Sequence, residues 1–390
     1  MRGRIGRREF AVGAGATLLA GALGGCAVTR GVGGPPAVVL PRPRAATDRI
    51  TQITVCTRPF RPQGPRVEVE QVGRSTVVHN YGHGGSGWSL SWGSSALAIE
   101  LALAGGARDV GVIGCGALGL TSALLLQRAG VRVTIYAKDL PPDVRSSLAT
   151  GIWSPDSRIC LAEHATPAFK RTWERMARTS FRTYQSWLGL PGYPVEFFDN
   201  YVVRDASQAA SRDEATADSR PAFASLQGEL LTDLLPASTD FAPGSHPLGA
   251  RYLRRRTIML FNLPSFTHAL VNDFLVAGGR IEVREFHSPA EFAELPQTTL
   301  IHATGYGARA LFDDRSIVPV RGQLAHLIPE PDIHYGIYYR GTAFVPRRDG
   351  LVFQVVGDSD YYGYDDARTA PDPAEAALAI RTITGLFPAA

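Results

Sequence analysis

The sequence predicts an α/β fold organised around one strand–turn–helix unit, and two observations carry this prediction. Residues 110–130 have the pattern of a buried strand, a glycine turn and an apolar helix, and a second strand pattern follows at 132–136. Gly114, Gly116 and Gly119 form a G-x-G-x-x-G motif between the first strand and the helix. In that position the motif indicates dinucleotide binding rather than an ordinary glycine turn.

Each glycine of the motif has a physical task. Gly114 permits the tight turn, Gly116 lets backbone N–H groups approach a pyrophosphate, and Gly119 lets the helix pack closely on the strand. The helix then begins at Ala117 and Leu118, where its N-terminus carries the partial positive charge that favours phosphate.

The first residues of the chain have the layout of an export signal. Four arginines between positions 2 and 8 precede an apolar run over 10–23 that is too short and glycine-rich for a membrane span. Residues 6–10 resemble a twin-arginine signal, and residues 23–26 resemble a bacterial lipoprotein box that ends at Cys26. We therefore expect residues 1–25 to be a signal. The protein is expected to be exported and anchored to the bacterial cell envelope, periplasmic or on the outer face of the cell membrane, by a lipid on Cys26.

Composition excludes two classes of function. Removing residues 1–25 takes away four arginines and one glutamate, so the formal net charge falls from +4 to +1 and no basic stripe remains to indicate nucleic-acid binding. Cys56, Cys115 and Cys160 have no metal-type spacing, so no metal site is predicted. An oxidising compartment would allow one disulfide, but nothing in the sequence selects the pair. Residues 26–48 are rich in glycine and proline and are expected to form a tether.

The rest of the chain alternates between strand and helix patterns. In chain order these predict a strand over 49–55, a proline-rich loop over 57–65, strands between 67 and 78, a glycine-rich bend over 79–89, a helix over 94–104, the 110–136 unit, helical structure within 155–187, a strand over 194–203, a helix between 259 and 278, strands over 280–285 and 299–302, a hairpin over 344–353, and a helix over 373–388.

Several short motifs, taken together, resemble the D-amino-acid oxidase family of FAD-dependent oxidoreductases. They are Phe60-Arg61-Pro62, His79-Asn80-Tyr81-Gly82-His83-Gly84-Gly85, Trp92-Gly93, Ala149 with Gly151, Trp153 and Pro155, Ala303-Thr304-Gly305, and Arg321-Gly322-Gln323. The resemblance covers nearly all of the chain after the tether, although residues 205–256 match poorly. It implies FAD as the cofactor.

The order of the motifs differs from the family's order. In that family the Phe-Arg-Pro loop and the glycine-histidine stretch follow the G-x-G-x-x-G motif and close the chain, whereas here they precede it. The helix pattern at 373–388 is similar to one that the family places just before the Arg-Pro strand. The sequence is therefore interpreted as a circular permutation, with a short join over 105–109, which proteins tolerate where chain ends lie close together at the surface.

The resemblance implies a Rossmann-like FAD-binding domain interleaved with a mixed-sheet substrate domain, a D-amino-acid-oxidase-like α/β fold in circularly permuted order. The FAD-binding domain is expected to comprise residues 57–155 and 251–325. The substrate, or cap, domain is expected to comprise residues 49–56, 156–250 and 326–390.

Candidate FAD contacts follow from the matched positions. The motif residues Gly114 to Gly119, including Ala117 and Leu118, are expected at the pyrophosphate. The resemblance places Ser146, Ser147, Gly151 and Trp153 beside the isoalloxazine, Gly84, Gly85, Gly87, Trp88 and Ser89 at its edge and ribityl chain, and Thr304 and Gly305 at a second contact. Asp139 has about the spacing of the acid that binds a ribose, although Lys138 occupies the family's acidic position.

Candidate substrate contacts follow in the same way. Arg61 matches the arginine that grips the substrate carboxylate in two hydrogen bonds, and the Gly85 carbonyl matches the group that meets the amine. Tyr338 or Tyr339, depending on a one-residue gap, matches the lid tyrosine. A second tyrosine of the family falls at Ala343, and one of the tyrosines at 361, 362 and 364 is a candidate to replace it.

Three functions remain open from the sequence. The first is an exported FAD-dependent oxidase of D-amino acids or related amines, with dioxygen, or in a variant a membrane quinone, as electron acceptor. The second is a degenerate flavin-binding envelope protein, motivated by Ala343 and Lys138, and the third is an NAD(P)-dependent dehydrogenase. The expected partners are the small-molecule substrate, dioxygen and, through Cys26, the membrane; a homodimer is a candidate assembly.

Overall fold

The structure, a computed structural model, describes residues 38–206 and 219–388. The predicted signal and Cys26 lie outside the described residues. In chain order the elements are β1 (Ile50–Phe60), β2 (Arg66–Val72), β3 (Ser75–Tyr81), α1 (Gly87–Leu103), β4 (Asp109–Ile113), α2 (Ala117–Arg128), β5 (Arg132–Ala137), α3 (Pro167–Gln185), β6 (Val195–Arg204), α4 (Gln227–Leu230), β7 (Thr239–Phe241), β8 (Tyr252–Phe261), α5 (Leu263–Val276), β9 (Arg280–Val283), β10 (Thr299–His302), α6 (Ala308–Leu311), β11 (Val318–Leu327), β12 (Tyr335–Tyr339), β13 (Thr342–Arg347), β14 (Gly350–Val355) and α7 (Pro373–Thr384).

A six-stranded sheet holds the predicted nucleotide-binding unit. Its order is β2-β3-β10-β4-β5-β9, and every neighbouring pair is parallel except the β2–β3 hairpin. The strand–turn–helix–strand prediction is confirmed by β4, α2 and β5. After α2, Gly130 has a φ of +77°, a left-handed conformation that ends the helix and that glycine adopts without steric cost.

An eight-stranded mixed sheet covers the other side of the site. Its order is β1-β11-β14-β13-β12-β6-β8-β7, with β12 and β6 its parallel pair. The predicted loop over 57–65 was wrong in its first half, since β1 continues through Pro59 to Phe60. A proline is tolerated there because β1 is an edge strand and needs no N–H for a second neighbour.

Helix α1 begins seven residues earlier than the 94–104 pattern predicts. Its first turns carry serines and Gly93, which weaken a helix signal in sequence. In the structure Gly93 lies against the backbone of Met176 on α3, where a Cβ would overlap main-chain atoms. The serines bond within the protein: Ser94 Oγ donates to Asn80 Oδ1 (2.7 Å), and Ser122 Oγ on α2 donates to Ser95 Oγ (2.9 Å).

Two apolar clusters form most of the core. One joins the six-stranded sheet to α1, α2, α3 and α5, and the other joins the eight-stranded sheet to α7. Residues 38–390 behave as one compact unit, so the division into two domains stays a prediction. The described ends lie close together, with Arg42 Nη1 donating to the Pro388 carbonyl (3.1 Å).

The described residues also bear on the predictions about a membrane span and a disulfide. No helix in this part of the chain is long and apolar enough to cross a membrane. Cys56, Cys115 and Cys160 are all buried free thiols.

Candidate active site

Three glycine-rich loops meet at the carboxyl ends of neighbouring parallel strands. They span residues 82–87 after β3, 114–118 after β4 and 303–307 after β10. Ala303 N–H donates to the Ile113 carbonyl (2.8 Å), which fixes the second loop against the third. Strand β4 has β5, the next strand in the chain, on one side and β10 on the other, so the strand order reverses at this point, where open α/β sheets bind ligands.

The turn after β4 is shaped for close approach of a ligand to backbone. Gly114 has a φ of +113°, and a Cβ at Gly119 would overlap the Gly114 carbonyl oxygen, so both positions exclude a side chain. Helix α2 begins directly behind the turn, with Ala117 N–H donating to Ser146 Oγ (3.1 Å). Trp88 Nε1 donates to the Ser146 carbonyl (2.7 Å) and so fixes the 145–148 turn beside the helix start.

These loops line one large cavity of about 1310 Å³. This volume exceeds the ~300–1,000 Å³ typical of a pocket for one drug-sized ligand. The cavity therefore has room for a dinucleotide and a small substrate together. Asp139 and Glu285 lie on its wall beyond β5 and β9, where Glu285 Oε1 accepts a hydrogen bond from Lys138 Nζ (3.2 Å).

The face of the eight-stranded sheet closes the opposite end of the cavity. Asn200 pairs with Arg256 across β6 and β8, and Ala343 pairs with Tyr338 and with Gln354 across β12, β13 and β14. All five side chains line the cavity. Burial raises the pKa of the Tyr338 phenol, with further increases from Asp358 and Asp360, so Tyr338 stays protonated as a hydrogen-bond donor.

Arg58 and Arg158 add two more cations to this end. Arg58 Nη1 donates to the Arg321 carbonyl (3.0 Å), and its guanidinium lies over Gly322, where a Cβ would overlap it. Arg158 adopts a φ of +50°, an uncommon backbone conformation for a side chain of this size. Burial lowers the pKa of Arg158 to about 10, and the next contribution is repulsion from Arg58. An anion between the two arginines would relieve that repulsion.

Loops 82–87 and 155–161 hold Arg158 in this conformation. Gly85 N–H donates to the Ser157 carbonyl (2.9 Å), and Ser86 Oγ donates to the same oxygen (3.1 Å). A Cβ at Gly84 would overlap the Arg158 carbonyl oxygen. Backbone strain of this kind costs about 1–3 kcal/mol and clusters at ligand sites.

A chain of buried histidines reaches the cavity from the surface. Glu70 Oε2 bonds His79 Nε2 (3.1 Å), His79 Nδ1 bonds His302 Nδ1 (2.9 Å), and His302 Nε2 bonds Thr304 Oγ1 on the wall (2.6 Å). Burial lowers the pKa of His79 to about 4, with Arg66 the next cause, and it lowers the pKa of His302 well below its usual range. Both rings are therefore neutral near pH 7.

Comparison with known protein families identifies the family to which this chain belongs. A family profile described as DAO, FAD dependent oxidoreductase, matches residues 109–390. The chain belongs to this family. The matched segment begins at β4, so the Arg58 strand and the 82–87 loop precede it along the chain.

Relatives of this FAD-dependent oxidoreductase include proteins named as D-amino-acid oxidases. It is 26% identical over 292 residues to a D-amino-acid oxidase of Streptomyces coelicolor, covering 72% of this chain and 78% of the relative. It is 25% identical over 285 residues to a D-amino-acid oxidase of Rubrobacter xylanophilus, covering 71% and 76%. Among solved structures, glycine oxidase from Geobacillus kaustophilus superposes with a TM-score of 0.51 at 13% identity, covering 72% of this chain and 78% of that one, which shows a shared fold.

The cavity fits the FAD that this family uses. The glycine turn and the N-terminus of α2 supply a cradle that a Cβ would fill, which is the setting for a pyrophosphate. Most of the residues predicted to bind FAD or substrate lie on the wall. They are Gly84, Gly85, Gly87, Trp88, Gly114, Gly116, Ala117, Leu118, Asp139, Ser146, Gly151, Thr304, Gly305 and Tyr338.

Four predicted cofactor residues lie behind the wall instead. Gly119 packs on the turn, as its predicted role requires. Ser89 Oγ accepts a hydrogen bond from Ser154 N–H (2.8 Å), and the Trp153 ring packs on Phe181 at 5.0 Å between centroids. Ser147 Oγ is buried with no hydrogen-bond partner among the described residues. These side chains support the loops rather than face the cavity.

The structure does not support Arg61 as the carboxylate-binding arginine. Its guanidinium lies outside the wall, where Nε donates to Ser316 Oγ (2.9 Å) and lies 3.3 Å from Asp314 Oδ2, and Nη1 donates to the Gly64 carbonyl (2.9 Å). These partners occupy the planar fork that a substrate carboxylate would need. Arg58, three residues earlier on β1, occupies the wall in its place.

Strand alternation resolves the choice between the two tyrosines. Tyr338 faces the cavity, whereas Tyr339 lies on the opposite face of β12 and donates to Asp205 Oδ1 (3.0 Å). The tyrosines at 361, 362 and 364 are also absent from the wall, so none of them replaces the hydroxyl missing at Ala343.

Sequence reasoning missed several charged wall residues, among them Arg58, Arg158, Arg256 and Glu285. Only Arg58 had a local signal, since Arg58-Pro59 and Arg61-Pro62 are two Arg-Pro pairs three residues apart. The others reach the cavity through tertiary packing. No cluster of three or more metal-ligating side chains occurs within residues 38–206 and 219–388.

Proposed function

We propose that this FAD-dependent oxidoreductase catalyses the oxidative deamination of a D-amino acid. The observation that carries the proposal is that one cavity joins the dinucleotide turn to Arg58, Arg158 and Tyr338. Amino acid, dioxygen and water would give a 2-oxo acid, ammonia and hydrogen peroxide. The names of the curated relatives support an amino-acid substrate, although their identity to this chain is only about a quarter.

FAD supplies the redox chemistry when it is bound, by accepting the hydride from Cα and passing the electrons to dioxygen. The protein's own contribution is to bind and orient the substrate, so that the Cα–H bond has one direction in the cavity. The loops at 82–87, 114–118 and 303–307 would hold the cofactor.

Arg58 is the residue proposed to bind the substrate carboxylate. Its Nη1 is fixed by the Arg321 carbonyl, which holds the guanidinium plane in one orientation. Arg158 lies near enough for the two charges to repel each other, so a carboxylate would be attracted by both. The 2.6 Å hydrogen bond from Arg158 Nε to the Asp360 carbonyl fixes the second cation on the 357–360 loop.

Tyr338 and Gly85 complete the proposed substrate contacts. The protonated phenol of Tyr338 can donate a hydrogen bond to the carboxylate, and the Gly85 carbonyl lies on a loop fixed by the Ser157 carbonyl. Ala343 leaves the position opposite Tyr338 without a hydroxyl, and Gln354 is the polar side chain beside it. Gln354 Oε1 accepts a hydrogen bond from Thr150 Oγ1 (2.6 Å), so its amide group is oriented.

Spectroscopy of the purified protein tests this function. We expect flavin absorbance bands, bleaching of those bands by D-amino acids without oxygen, and peroxide formation when oxygen is admitted. L-enantiomers are the matched control. Protein that carries no flavin, or bound flavin that no amino acid bleaches, would reject the proposal.

A quinone as electron acceptor is the second candidate, because the lipoprotein-like sequence around Cys26 would place the enzyme at a membrane. Bleaching by substrate followed by slow reoxidation in air and rapid reoxidation by a soluble quinone would favour this variant. Fast peroxide formation in air would favour the oxidase.

We also propose that the protein is exported and anchored by a lipid on Cys26. The basis is the sequence of residues 1–26 alone. Cys26→Ala is expected to move the enzyme from the membrane fraction to the soluble fraction, and Arg7→Lys with Arg8→Lys to keep it in the cytoplasm. An unchanged distribution in both variants would contradict the anchor.

The circular permutation is a further proposal about this chain. The first support is the contact between Arg42 and Pro388, which lie near the two described ends. The second is that Gly105 and Gly106, in the predicted join, lie in open space, since a Cβ at either would have no atom within 4 Å. A re-ordered chain that begins at Arg108, runs to Ala390 and continues through residues 49–104 should fold and bind flavin. Insoluble or flavin-free protein would count against it.

A further inference from the structure

The substrate end of the cavity carries three arginines and two acids, Asp358 and Asp360. Arg58, Arg158 and Arg256 all line this end. Burial lowers the pKa of Arg158, and Arg58 lowers it further, against Asp360 and Tyr338, which raise it. Burial also lowers the pKa of Arg256, and Arg204 and Arg254 lower it further, against Tyr338. Tyr338 lies on β12 and Arg256 on β8, with β6 between the two strands.

Arg256 is the one arginine of the 254–256 run whose side chain forms no ion pair within the described residues. The arginines beside it on β8 are both paired: Arg254 makes a two-pronged ion pair with Asp240 (2.6 and 2.7 Å), and Arg255 Nη1 lies 3.7 Å from Asp199. Arg256 makes no hydrogen bond or ion pair with another described side chain. Its side chain is accessible from the cavity although protein surrounds it, and burial lowers its pKa, followed by the effects of Arg204 and Arg254.

The surroundings of Arg256 attract an anion rather than neutralise the arginine. Its strand partner across the sheet is the neutral Asn200, and its neighbour two residues on is Ile258. Asp360, an acid on the same cavity wall, lies 3.6 Å from Arg158 Nη1 instead. A cation at a partly enclosed wall concentrates positive potential where a ligand would enter.

We propose that the substrate is an amino acid with a second carboxylate, of the aspartate and glutamate class, and that Arg256 binds this second carboxylate. The assignment rests on the proposed function, in which Arg58 and Arg158 bind the first carboxylate. A guanidinium matches a carboxylate with two parallel hydrogen bonds, and Asn200 can donate a third from the same face of the sheet.

Comparison of isosteric substrates tests the assignment. D-aspartate against D-asparagine and D-glutamate against D-glutamine differ in charge but hardly in shape. We expect kcat/KM for the acids to exceed that for the amides by about 10- to 100-fold, the range for a charged hydrogen-bonded contact. Arg256→Gln should remove the preference by raising KM for the acids, and Arg254→Gln, on the same strand, should retain it.

A binding measurement separates this inference from the proposed function. Glutarate and pentanoate are not amino acids and cannot be deaminated, and titration calorimetry on the flavin-loaded protein should show tighter binding of glutarate, lost in Arg256→Gln. If neutral D-amino acids are oxidised as well as the acids, the inference fails and the proposed function stands. If no amino acid is oxidised, the proposed function fails, and glutarate binding no better than pentanoate would then overturn the Arg256 site as well.

Discussion

The two ends of the cavity are built from different parts of the polypeptide. At the dinucleotide end the loops that would hold the cofactor present backbone, although Asp139 and Glu285 also lie on the wall. These loops are glycine turns at the ends of parallel strands, where a Cβ at Gly84 or Gly114 would overlap main-chain atoms. At the substrate end the wall is side chains, with Arg58, Arg158, Arg256 and Tyr338 projecting from the eight-stranded mixed sheet and its loops.

This difference determines which amino-acid substitutions each end of the cavity can tolerate. Backbone recognition depends on the absence of a Cβ, so almost any substitution removes it. Side-chain recognition depends on one charged or hydroxyl group at a time, so single substitutions can change the substrate while the fold and the cofactor remain. The following changes test this contrast, from the largest expected effect to the smallest.

Gly119→Ala should abolish flavin binding. The new Cβ would overlap the Gly114 carbonyl oxygen, and neither backbone segment can move without displacing α2 or the turn. The measurement is the ratio of flavin to protein absorbance, with circular dichroism to confirm folding. Gly105→Ala is the control, because its Cβ would meet nothing within 4 Å. A flavin-replete Gly119→Ala enzyme would contradict the backbone description.

The contrast also explains what could be predicted from the sequence. The β4–α2–β5 unit and the two strands ending in glycine loops leave local patterns, because turn chemistry and strand burial are encoded within a few neighbouring residues. Arg58 was missed because the sequence does not show whether β1 ends before or after Pro59. The strand can continue through this proline only because β1 lies at the edge of the sheet. Arg256 had no local signal, since three consecutive arginines on a strand do not reveal which one faces a cavity.

Acid should destabilise the dinucleotide end. His79, His83 and His302 are buried and neutral, and burial lowers the pKa of His79 to about 4 and of His83 to about 3. The unfolded chain, with a histidine pKa of about 6.5, binds more protons below that pH. Their contribution to stability is therefore fully present above pH ~6.5 and is lost as the pH falls toward ~4 and then ~3.

Urea unfolding at about pH 7 and about pH 5 measures this effect. The free energy of unfolding should fall by roughly 2 kcal/mol for each buried histidine, with loss of flavin in parallel. His268 is exposed on α5, so His268→Gln should leave the pH dependence of the free energy of unfolding unchanged. Equal stability at the two pH values would show that these histidines are not held neutral.

Arg58→Gln should raise KM for the amino acid by about 10- to 150-fold, the cost of losing a hydrogen bond to a charged group, while flavin stays bound. Arg61→Gln is the matched control three residues along the chain, and its KM should stay within about twofold because Arg61 bonds Ser316 and Gly64 outside the cavity. A large rise in KM for Arg61→Gln, with no change for Arg58→Gln, would favour Arg61 as the residue that binds the substrate carboxylate.

Tyr338→Phe should have the smallest effect, a rise in KM of about 10-fold, the lower end of the range for a hydrogen bond to a charged group, because Arg58 and Arg158 still bind the carboxylate. The phenyl ring would keep the packing on β12, so flavin content and thermal stability should not change. Tyr339→Phe is its partner on the opposite face, where the hydroxyl bonds Asp205, and it should leave KM unaltered. The measurement is the steady-state kinetics of the two variants. Both lose one tyrosine hydroxyl from β12, but from opposite faces of the strand. A larger KM change at Tyr339 than at Tyr338 would place the substrate on the wrong side of the sheet for every contact proposed here.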